Sequence, residues 1–528
     1  MTINPSPRIF RSNLAPHGFL FILALLIAAC SPGEETPARS RQGPADPAHE
    51  VSGEISNPIN VILIVLDTLR PDHLSLEGYE RITSPSLDAF AKKSLVFENA
   101  YSTSTWTIPA HASLFTGLAP NRSGVGLARH RLGADRETLA ETLSRYGYET
   151  FAVVSNPNIG PTNGLDQGFE AFLEVWRDKD LEASNVDPRT GEQRKLIRDS
   201  PQWTHGDANA YEQTKAWMET RSPERPFFLF VNLFGMHDPY DSSGAHWGKF
   251  LKAGTPRPNT RQSTPPTHAL YLGRFPLPST EKLERLTALY DAEIVQADAI
   301  LDQLLNLLEE QGHLENSLII ITSDHGENLG DHGHLQHCFG LYNSTTRVPL
   351  LIHAPALGVE PGRRREPAQL IDVMPTVLAA LGAPAPKVES DGLDLLATSL
   401  PTDRALFMEH TGAGFVKGIS KSARFPGERE HLSQFDRELI AVIEEGWKLI
   451  VNDLGERELY DLGVDPGEKV NLAGDDRQAD RIARLLWQIE QYDAARADGE
   501  VKEEAEIAID EEKLKALEAV GYLGRSSK

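Results

Sequence analysis

Thr107 combines a nucleophilic hydroxyl with a position at the start of a predicted helix. It stands on a turn stiffened by Pro109, and the helical segment that follows ends at Gly117. A hydroxyl at the N-terminal end of a helix lies in the positive field of the unpaired backbone N–H groups, where an anion is stabilised. We expect this hydroxyl to be exposed and able to meet an anionic ester. Thr and Pro beside a helix start are, however, also typical of an ordinary cap.

Acidic side chains follow two apolar segments that read as buried strands. Asp67 closes the segment 60–66, and Asp324 and His325 directly follow 318–323. Ligands gather where the strands of an α/β sheet end. We predict that Asp67, Asp324, His325 and the Thr107 oxygen hold one divalent cation, and such a set suits Ca²⁺, Mg²⁺, Mn²⁺ or Zn²⁺. Taken separately, Asp67 could be a strand-end cap, and the Asp324–His325 pair could be a structural hydrogen bond.

Five segments, in this order along the chain, resemble the sulfatase family within the wider alkaline-phosphatase-like superfamily. The resemblance runs from about residue 60 to 472. It is carried by VLDTLRPDH at 65–73, the Thr107-x-Pro109 turn, MHDPY at 236–240, TSDHGE at 322–327 and RVPL at 347–350. It implies a hydrolase of sulfate esters of small molecules or glycans, and it favours Ca²⁺ in the metal site.

Three histidines stand where the resemblance implies contact with the ester or the nucleophile. His237 matches a family histidine that touches the ester; a neutral ring could donate to a nonbridging oxygen, and a protonated ring could protonate the leaving oxygen. Asp238 would orient His237 or cap its loop. His337 lies near a family lysine that contacts the same group, although it could be a surface histidine. His111 replaces an arginine that steadies the nucleophile. We therefore predict Thr107, His237, His111 and His337 as catalytic residues.

The catalytic turn departs from the family pattern. Sulfatases carry Cys or Ser followed by x-Pro-x-Arg, where this chain has Thr107, Pro109 and His111. Oxidation of Cys or Ser yields the formylglycine aldehyde, but threonine carries a methyl on that carbon and would give only a ketone. We therefore expect no formylglycine, and Thr107 stays an alcohol. Ser155 and Pro157 replace a family lysine and histidine, so two fixed positive charges are missing from the site.

These departures leave three functions open. The first is a metal-dependent hydrolase of sulfate esters, acting through Thr107 or through a water that the metal activates. The second is a phosphodiesterase or phospho-headgroup transferase on the same scaffold, because superfamily relatives with threonine nucleophiles act on phosphoryl groups. The third is a catalytically silent envelope protein that binds sulfated or phosphorylated glycans. Loss of Asp67 and Asp324 would disable an enzyme but not a silent binder.

Other polar residues and two long segments are expected to frame the cleft. Asn156 and Asn158 follow a strand end and are candidates to line it, whereas Arg347 is expected to be a structural ion-pair residue. Segments 176–205 and 241–278 have little periodicity and many Pro, Gly, Ser and Asn residues. Loops of that length are usually lids or binding loops.

Strands that alternate with amphipathic helices predict an α/β fold of the sulfatase/alkaline-phosphatase-like type, with a mixed, mostly parallel sheet between helices. The predicted strands are 61–66, 150–154, 227–231, 318–322 and 348–352. The predicted helices start at Pro85 or span 136–146, 280–311 and 370–381, with Asp135 capping the second and Gly147 ending it. A small C-terminal domain would pair strands 405–409, 438–443, 447–451 and 458–462 in an antiparallel sheet under a helix at 481–492.

The predicted domains are a lipoprotein signal peptide at 1–29, a flexible tether at 30–57, the catalytic domain at 58–385, a C-terminal subdomain at 386–495 and an acidic tail, read as a peripheral helix, at 496–528. Arg8 and Arg11 precede the apolar run 19–27, which is too short for a comfortable membrane span. The sequence Ile-Ala-Ala-Cys at 27–30 resembles a lipobox, in which Cys30 is lipidated, although an ordinary signal with a chance cysteine would look the same. Ser31 then favours the outer membrane of a Gram-negative bacterium, facing the periplasm.

Composition limits the partners. The net charge of −24 leaves nothing to offset phosphate repulsion and argues against nucleic acid, although a metal could reverse the field inside one cleft. Of the 2 cysteines, Cys30 belongs to the lipobox. Cys338 is then alone, so the mature protein would have no intramolecular disulfide.

Overall fold

The computed structural model describes residues 55, 58–126, 130–176, 206–240, 242, 246–255, 270–274, 276–383, 389–411, 423, 425–495 and 511–513. All of them belong to one unit, Glu54–Lys528. The predicted signal peptide, Cys30, nearly all of the tether and most of the acidic tail lie outside these residues. So do nearly all of the long segment 176–205 and half of the segment 241–278.

The sixteen described strands form two sheets and two short strand pairs. The strands are β1 Asn60–Leu66, β2 Leu95–Phe97, β3 Ala100–Tyr101, β4 Glu149–Val154, β5 Ala171–Glu174, β6 Phe227–Leu233, β7 Ser317–Thr322, β8 Asn328–Leu329, β9 Leu335–Gln336, β10 Leu350–His353, β11 Gly362–Arg364, β12 Ala368–Gln369, β13 Leu406–Thr411, β14 Glu438–Glu444, β15 Trp447–Asn452 and β16 Arg457–Asp461.

The described α-helices pack on the faces of these sheets or join their strands. They are α1 Pro85–Ala91, α2 Thr107–Thr116, α3 Pro120–Ser123, α4 Leu139–Arg145, α5 Asp207–Thr220, α6 Thr280–Glu310, α7 Asn343–Thr346, α8 Val373–Leu381, α9 Pro426–Leu432 and α10 Ala479–Ala495. Within the described ranges, none is both long enough and apolar enough to cross a membrane.

The larger sheet has the strand order β11-β2-β10-β7-β1-β6-β4-β5 among the described residues. Strand β1 runs parallel to both β6 and β7, and β4 runs parallel to β5 and β6. Strand β10 is antiparallel to its neighbours β7 and β2. The sheet is therefore mixed and mostly parallel, which confirms the predicted fold class.

Helices cover both faces of this sheet, which explains why β1, β6 and β7 are buried at every position. Alternate residues of a strand point to opposite faces. Leu63 and its neighbours pack with Phe115 of α2 on one face. Ile64 and its neighbours pack with Phe90 of α1 and Leu301 of α6 on the other.

Some predicted boundaries are wrong. The helix predicted over 136–146 begins at Leu139, because Thr138 and not Asp135 caps it. The Thr138 hydroxyl accepts the Glu141 N–H at 3.1 Å, and the Glu141 carboxylate accepts the Thr138 N–H at 2.8 Å. This reciprocal capping box satisfies two backbone donors at the helix start. The strand predicted over 348–352 begins at Leu350, since the Val348 N–H bonds outside the sheet to Ala100.

The smaller sheet has the antiparallel order β13-β14-β15-β16, and α10 packs on it through Leu485 and Ile489, as predicted. Its edge strand β13 contacts the segment before α2: the Glu409 N–H donates to the Thr103 carbonyl at 2.9 Å, and Ser104 donates to the Glu409 carbonyl at 3.1 Å. The C-terminal sheet therefore supports the chain just before Thr107. The domain limits themselves stay predictions.

Candidate active site

Thr107 is the first residue of α2, and Trp106 is the extended residue that precedes the helix. The helix ends at Gly117, whose φ of 66° closes it in the left-handed conformation. Thr107 is completely buried, at 0 % exposure, so the expectation of an exposed hydroxyl is wrong. All of α2 is buried against the sheet, and side chains from the strand ends cover its first turn.

Asp67, Asp324 and His325 meet at one edge of the sheet. Strands β1 and β7 are parallel neighbours with Val65 paired to Thr322, so Asp67 and Asp324, two residues further on, emerge side by side. One ligand atom from each of the three residues lies within 4.8 Å of the others, and all three side chains are fully buried. Thr107 Oγ1 lies 3.5 Å from His325 Nε2. The four residues predicted as metal ligands are therefore brought together.

The chemistry of this cluster fits a divalent cation. Asp67 Oδ1 and Asp324 Oδ2 are buried oxygens that no hydrogen-bond donor of the described residues reaches. Burial raises the pKa of Asp324 to about 7; burial and then repulsion by Asp324 raise the pKa of Asp67 well above its usual range. Two adjacent buried carboxylates, each with one oxygen that lacks a donor, are unfavourable on their own, and a cation between them removes both costs.

His325 and Asp324 are held in place by the backbone around them. The Asp324 Oδ1 atom accepts the N–H groups of His325 at 2.9 Å and Thr68 at 3.3 Å. His325 Nδ1 donates to the Gly326 carbonyl at 3.0 Å, which directs Nε2 toward Asp324 and Thr107. Because burial lowers the pKa of His325 to about 4, its ring is neutral at pH 7, as a metal ligand must be.

His237 and His337 lie beside the cluster. The ring of His337 is 4.5 Å from that of His325 and 4.8 Å from that of His237, measured between centroids. His237 Nδ1 donates to the backbone carbonyl of Asp238 at 2.6 Å, so the carbonyl and not the Asp238 carboxylate orients this ring. The Asp238 carboxylate accepts from Gln336 instead, at 2.7 Å.

His337 is buried rather than on the surface, with 4 % of the residue exposed. Its Nδ1 lies 3.2 Å from Glu327 Oε1. Burial lowers the pKa of His337 to about 3 and raises that of Glu327 to about 8. Glu327 is part of the motif at 322–327, but the sequence predicted no role for it. The available signal was its place two residues after His325, a predicted metal ligand.

His111 lies one helical turn after Thr107 and is fully buried. Its Nδ1 donates to the Thr107 carbonyl at 2.9 Å and is 3.6 Å from Asp324 Oδ2. Burial lowers the pKa of His111 to about 3, so the ring is neutral and does not supply the charge of the arginine it replaces. Arg347 lies apart from the cluster, 3.5 Å from Glu77 and 2.9 Å from the Glu98 carbonyl.

Asn156 reaches the centre of the site. Its side-chain nitrogen is 2.6 Å from Asp67 Oδ2 and 3.2 Å from Thr107 Oγ1. Asn158 contributes its backbone N–H, which donates to the Asn156 side-chain oxygen at 2.7 Å. The sequence predicted both asparagines only as candidates to line the cleft, because a position after a strand end does not indicate a more specific role.

The Sulfatase family model matches residues 59–383. An arylsulfatase of Clostridium perfringens is 25 % identical over 81 % of this chain and 92 % of its own length. The fold is similar to that of BT4656, solved with its substrate D-glucosamine-2-N,6-O-disulfate, with a TM-score of 0.64, 19 % identity, and coverage of 84 % of this chain and 99 % of that one. It is also similar to a phosphonate monoester hydrolase of Agrobacterium radiobacter, with a TM-score of 0.62, 21 % identity, and coverage of 83 % and 95 %. A match over more than half of the chain, to the segment that carries the site, means that the protein belongs to the sulfatase family and is a sulfatase-like hydrolase.

Proposed function

We propose that this protein is a metal-dependent hydrolase of sulfate esters in which the unmodified side chain of Thr107 is the nucleophile. The observation that carries the proposal is the position of Thr107 Oγ1, 3.5 Å from His325 Nε2 and beside two carboxylates with unsatisfied oxygens. A nucleophile for an anionic ester needs such a neighbourhood, because charge must be neutralised where the two anionic groups meet.

Asp67, Asp324, His325 and Thr107 would hold one divalent cation. When bound, the cation would neutralise charge on the nonbridging oxygens of the ester and lower the pKa of the threonine hydroxyl. Family resemblance favours Ca²⁺, and the ligand set also suits Mg²⁺, Mn²⁺ or Zn²⁺.

The reaction divides into two balanced halves. In the first, the Thr107 O–H bond and the ester S–O bond break, a bond forms between Oγ1 and sulfur, and the alcohol leaves with one proton. In the second, water attacks the sulfur of the threonyl ester and the bond between Oγ1 and sulfur breaks. One proton of the water returns to Thr107, and the other is released with the sulfate. A threonyl ester cannot collapse to an aldehyde as a formylglycine hydrate can, so the second half depends on water entering the site.

His237 and His337, whose ring centroids are 4.8 Å apart, would both act on the ester group. Nδ1 of His237 donates to the Asp238 carbonyl, and Nδ1 of His337 lies 3.2 Å from Glu327 Oε1, so each ring would act on the substrate through Nε2. His237 would protonate the leaving oxygen or donate to a nonbridging oxygen. His337 would take the place of the family lysine, and His111 would hold the first turn of α2 through the Thr107 carbonyl.

A second candidate is hydrolysis or transfer of phosphate esters by the same residues. The observation in its favour is Thr107 itself, an alcohol without the aldehyde hydrate that expels sulfate. The likeness to a phosphonate monoester hydrolase supports it, as does that to a multifunctional alkaline phosphatase superfamily protein of Trinickia caryophylli, 27 % identical over 82 % of this chain. A silent glycan-binding protein, the third function that the sequence leaves open, would tolerate loss of Asp67 and Asp324, but the match to a hydrolase family argues against it.

We further propose that the substrate is a small-molecule or glycan ester in the cell envelope. The glycan substrate of BT4656 supports the class, and the export signal with Cys30 supports attachment to the outer membrane by a lipid, facing the periplasm. Labelled fatty acid should be incorporated into the wild type but not into Cys30→Ala; an unlabelled wild type would contradict the anchor.

A rate panel tests the proposed reaction. The full chain is assayed on 4-nitrophenyl sulfate, 4-nitrophenyl phosphate and bis(4-nitrophenyl) phosphate, each with Ca²⁺, Mn²⁺ or Zn²⁺ after chelation. We expect metal-dependent turnover that is fastest on the sulfate ester and is lost in Asp324→Asn. Faster turnover of a phosphate ester would favour the second candidate, and no turnover with any metal would favour the third.

A further inference from the structure

We propose that Asn156 is a catalytic residue whose side-chain amide donates a hydrogen bond to the Thr107 oxygen and stabilises the negative charge that forms there as Thr107 loses its proton. The inference rests on the proposed function, because it takes Thr107 as the nucleophile. Asn156 lies two residues beyond the end of β4 and is completely buried.

The Asn156 amide nitrogen contacts both the nucleophile and a metal-site carboxylate. It lies 3.2 Å from Thr107 Oγ1 and 2.6 Å from Asp67 Oδ2. A side-chain amide has two N–H donors, so one can serve each oxygen. The threonine oxygen is therefore approached by a donor from Asn156 on one side and by His325 on another.

The orientation of this amide is set by its neighbours. The Asn158 backbone N–H can only donate, and it points at the Asn156 side-chain oxygen at 2.7 Å. The amide oxygen therefore faces Asn158, and the amide nitrogen faces Thr107. The Asn156 backbone N–H donates in turn to the Asn232 side-chain oxygen at 3.0 Å, which anchors the residue to β6. The donor is thus fixed in place before any substrate arrives.

A fixed neutral donor matters here because the family's cations are missing at two positions. His111 replaces the arginine and is kept neutral by burial, and Ser155 replaces the lysine. In a site closed to water, a preorganised dipole stabilises a developing oxyanion without reorganisation. Asn156 is the donor placed to do this for Thr107.

A purely structural role for Asn156 predicts something different. If the amide served only to hold Asp67, its loss would weaken metal binding, and excess metal would restore turnover. If it serves the Thr107 oxygen, its loss lowers turnover even when the metal site is saturated. The two roles are therefore separated by measuring kcat at saturating metal and saturating substrate.

The test compares Asn156→Ala and Asn156→Asp with the wild type, as full chains, on whichever of 4-nitrophenyl sulfate and 4-nitrophenyl phosphate the wild type hydrolyses faster. We expect Asn156→Ala to lower kcat by about 10²–10³-fold, the usual loss for one oxyanion donor, with KM changed only a few-fold. Asn156→Asp keeps the size of the side chain and the acceptor for Asn158, and it should lose at least as much. Thermal melts confirm that the variants fold.

Asn60→Ala is the matched control. Asn60 is also a buried asparagine, but it lies at the opposite end of β1, about 20 Å from Asp67 at the usual rise of a strand. Its loss should lower stability and leave kcat unchanged.

Two results would overturn the proposal: a kcat for both Asn156 variants within about tenfold of the wild type, or full recovery with excess metal. Thr107→Ala, assayed alongside, separates the two levels of inference. If it retains turnover, the nucleophile assignment fails and the role of Asn156 fails with it. If it is inactive while the Asn156 variants are not, only the role of Asn156 is wrong.

Discussion

The carboxylates of Asp67 and Asp324 lie side by side and are buried from solvent. Each has one oxygen that no donor of the described residues reaches. Burial raises the pKa of both groups, because the charged form loses its hydration. Such a pair destabilises the folded protein on its own, so we expect it to serve a function. A divalent cation would supply what the two residues lack, and the same cation would lie beside the Thr107 oxygen.

The affinity of the protein for the metal should fall as the pH is lowered. Because the pKa of Asp324 in the metal-free protein is raised to about 7, the proton competes with the cation below that pH. Above it the carboxylate is already ionised, and affinity should become nearly independent of this group. Titration of chelated protein with Ca²⁺ or Mn²⁺ between about pH 6 and about pH 8 measures the effect, and an affinity that does not change would contradict the assignment.

Stability of the metal-free protein should change in the opposite direction. The folded-state pKa of Asp324 lies above its unfolded value, so its contribution is complete below the unfolded pKa and is lost as pH rises through about 7. Metal-free protein should therefore melt at a lower temperature at about pH 8 than at about pH 6, and saturating metal should reverse the order. Asp324→Asn, which cannot titrate here, is the control.

The sequence predicted that Asp67, Asp324 and His325 lie together, but it did not predict their surroundings. Asp67, Asp324 and His325 could be found because each follows an apolar run, and strand ends in an α/β sheet share an edge. The burial of Thr107 and the contacts of Asn156 and Glu327 depend on how loops far apart in the chain cover that edge. No local pattern carries such information.

At the scale of elements, α2 positions the proposed nucleophile. It begins at Thr107, is buried throughout, and ends at Gly117 in the left-handed conformation. The end of the helix is enclosed: the Ser390 hydroxyl donates to the Gly117 carbonyl at 2.9 Å, and Ala119 bonds to Asp391. The sequence predicted this helix and its stop because a glycine after a helical segment is a common terminator. The sequence did not predict the start of α4, because a capping box of Thr138 and Glu141, and not Asp135, caps this helix.

Gly117→Ala should destabilise the protein by more than the conformational penalty alone. A side chain at φ 66° costs about 1–2 kcal/mol, and the new methyl group would also collide with the Ser390 side chain. Gly78→Ala is the matched control, because Gly78 has a φ of 86° with open space around it. Denaturant unfolding measures both, and equal losses would show that Ser390 moves aside without cost.

At the scale of the whole molecule, polar contacts of a buried lysine join the small antiparallel sheet to α7, the short helix that precedes β10 of the larger sheet. Lys448 of β15 is fully buried and lies 2.8 Å from Glu468; it also donates to Asn343 and Thr346 of α7, each at 3.2 Å. The sequence predicted the larger sheet from buried strands that alternate with amphipathic helices, and the smaller sheet from a series of short strands. It could not predict this tie, because it joins residues about a hundred positions apart.

Lys448→Met should therefore cost about 3–5 kcal/mol of unfolding free energy, since it leaves Glu468 buried without its cation. The double variant Lys448→Met with Glu468→Gln should recover part of that loss, because no buried charge remains. Chemical unfolding of the three proteins provides the comparison. A loss for the single variant below about 1 kcal/mol would mean that water reaches Glu468.

The proposed function depends on Thr107 being an unmodified nucleophile. The direct measurement is the mass of the peptide that contains Thr107, taken from resting protein and from protein quenched with acid during turnover of the ester it hydrolyses fastest. We predict plain threonine at rest and one added sulfuryl or phosphoryl group during turnover, with no adduct in Thr107→Ala. An oxidised residue at position 107, or full turnover by Thr107→Ala, would contradict the account.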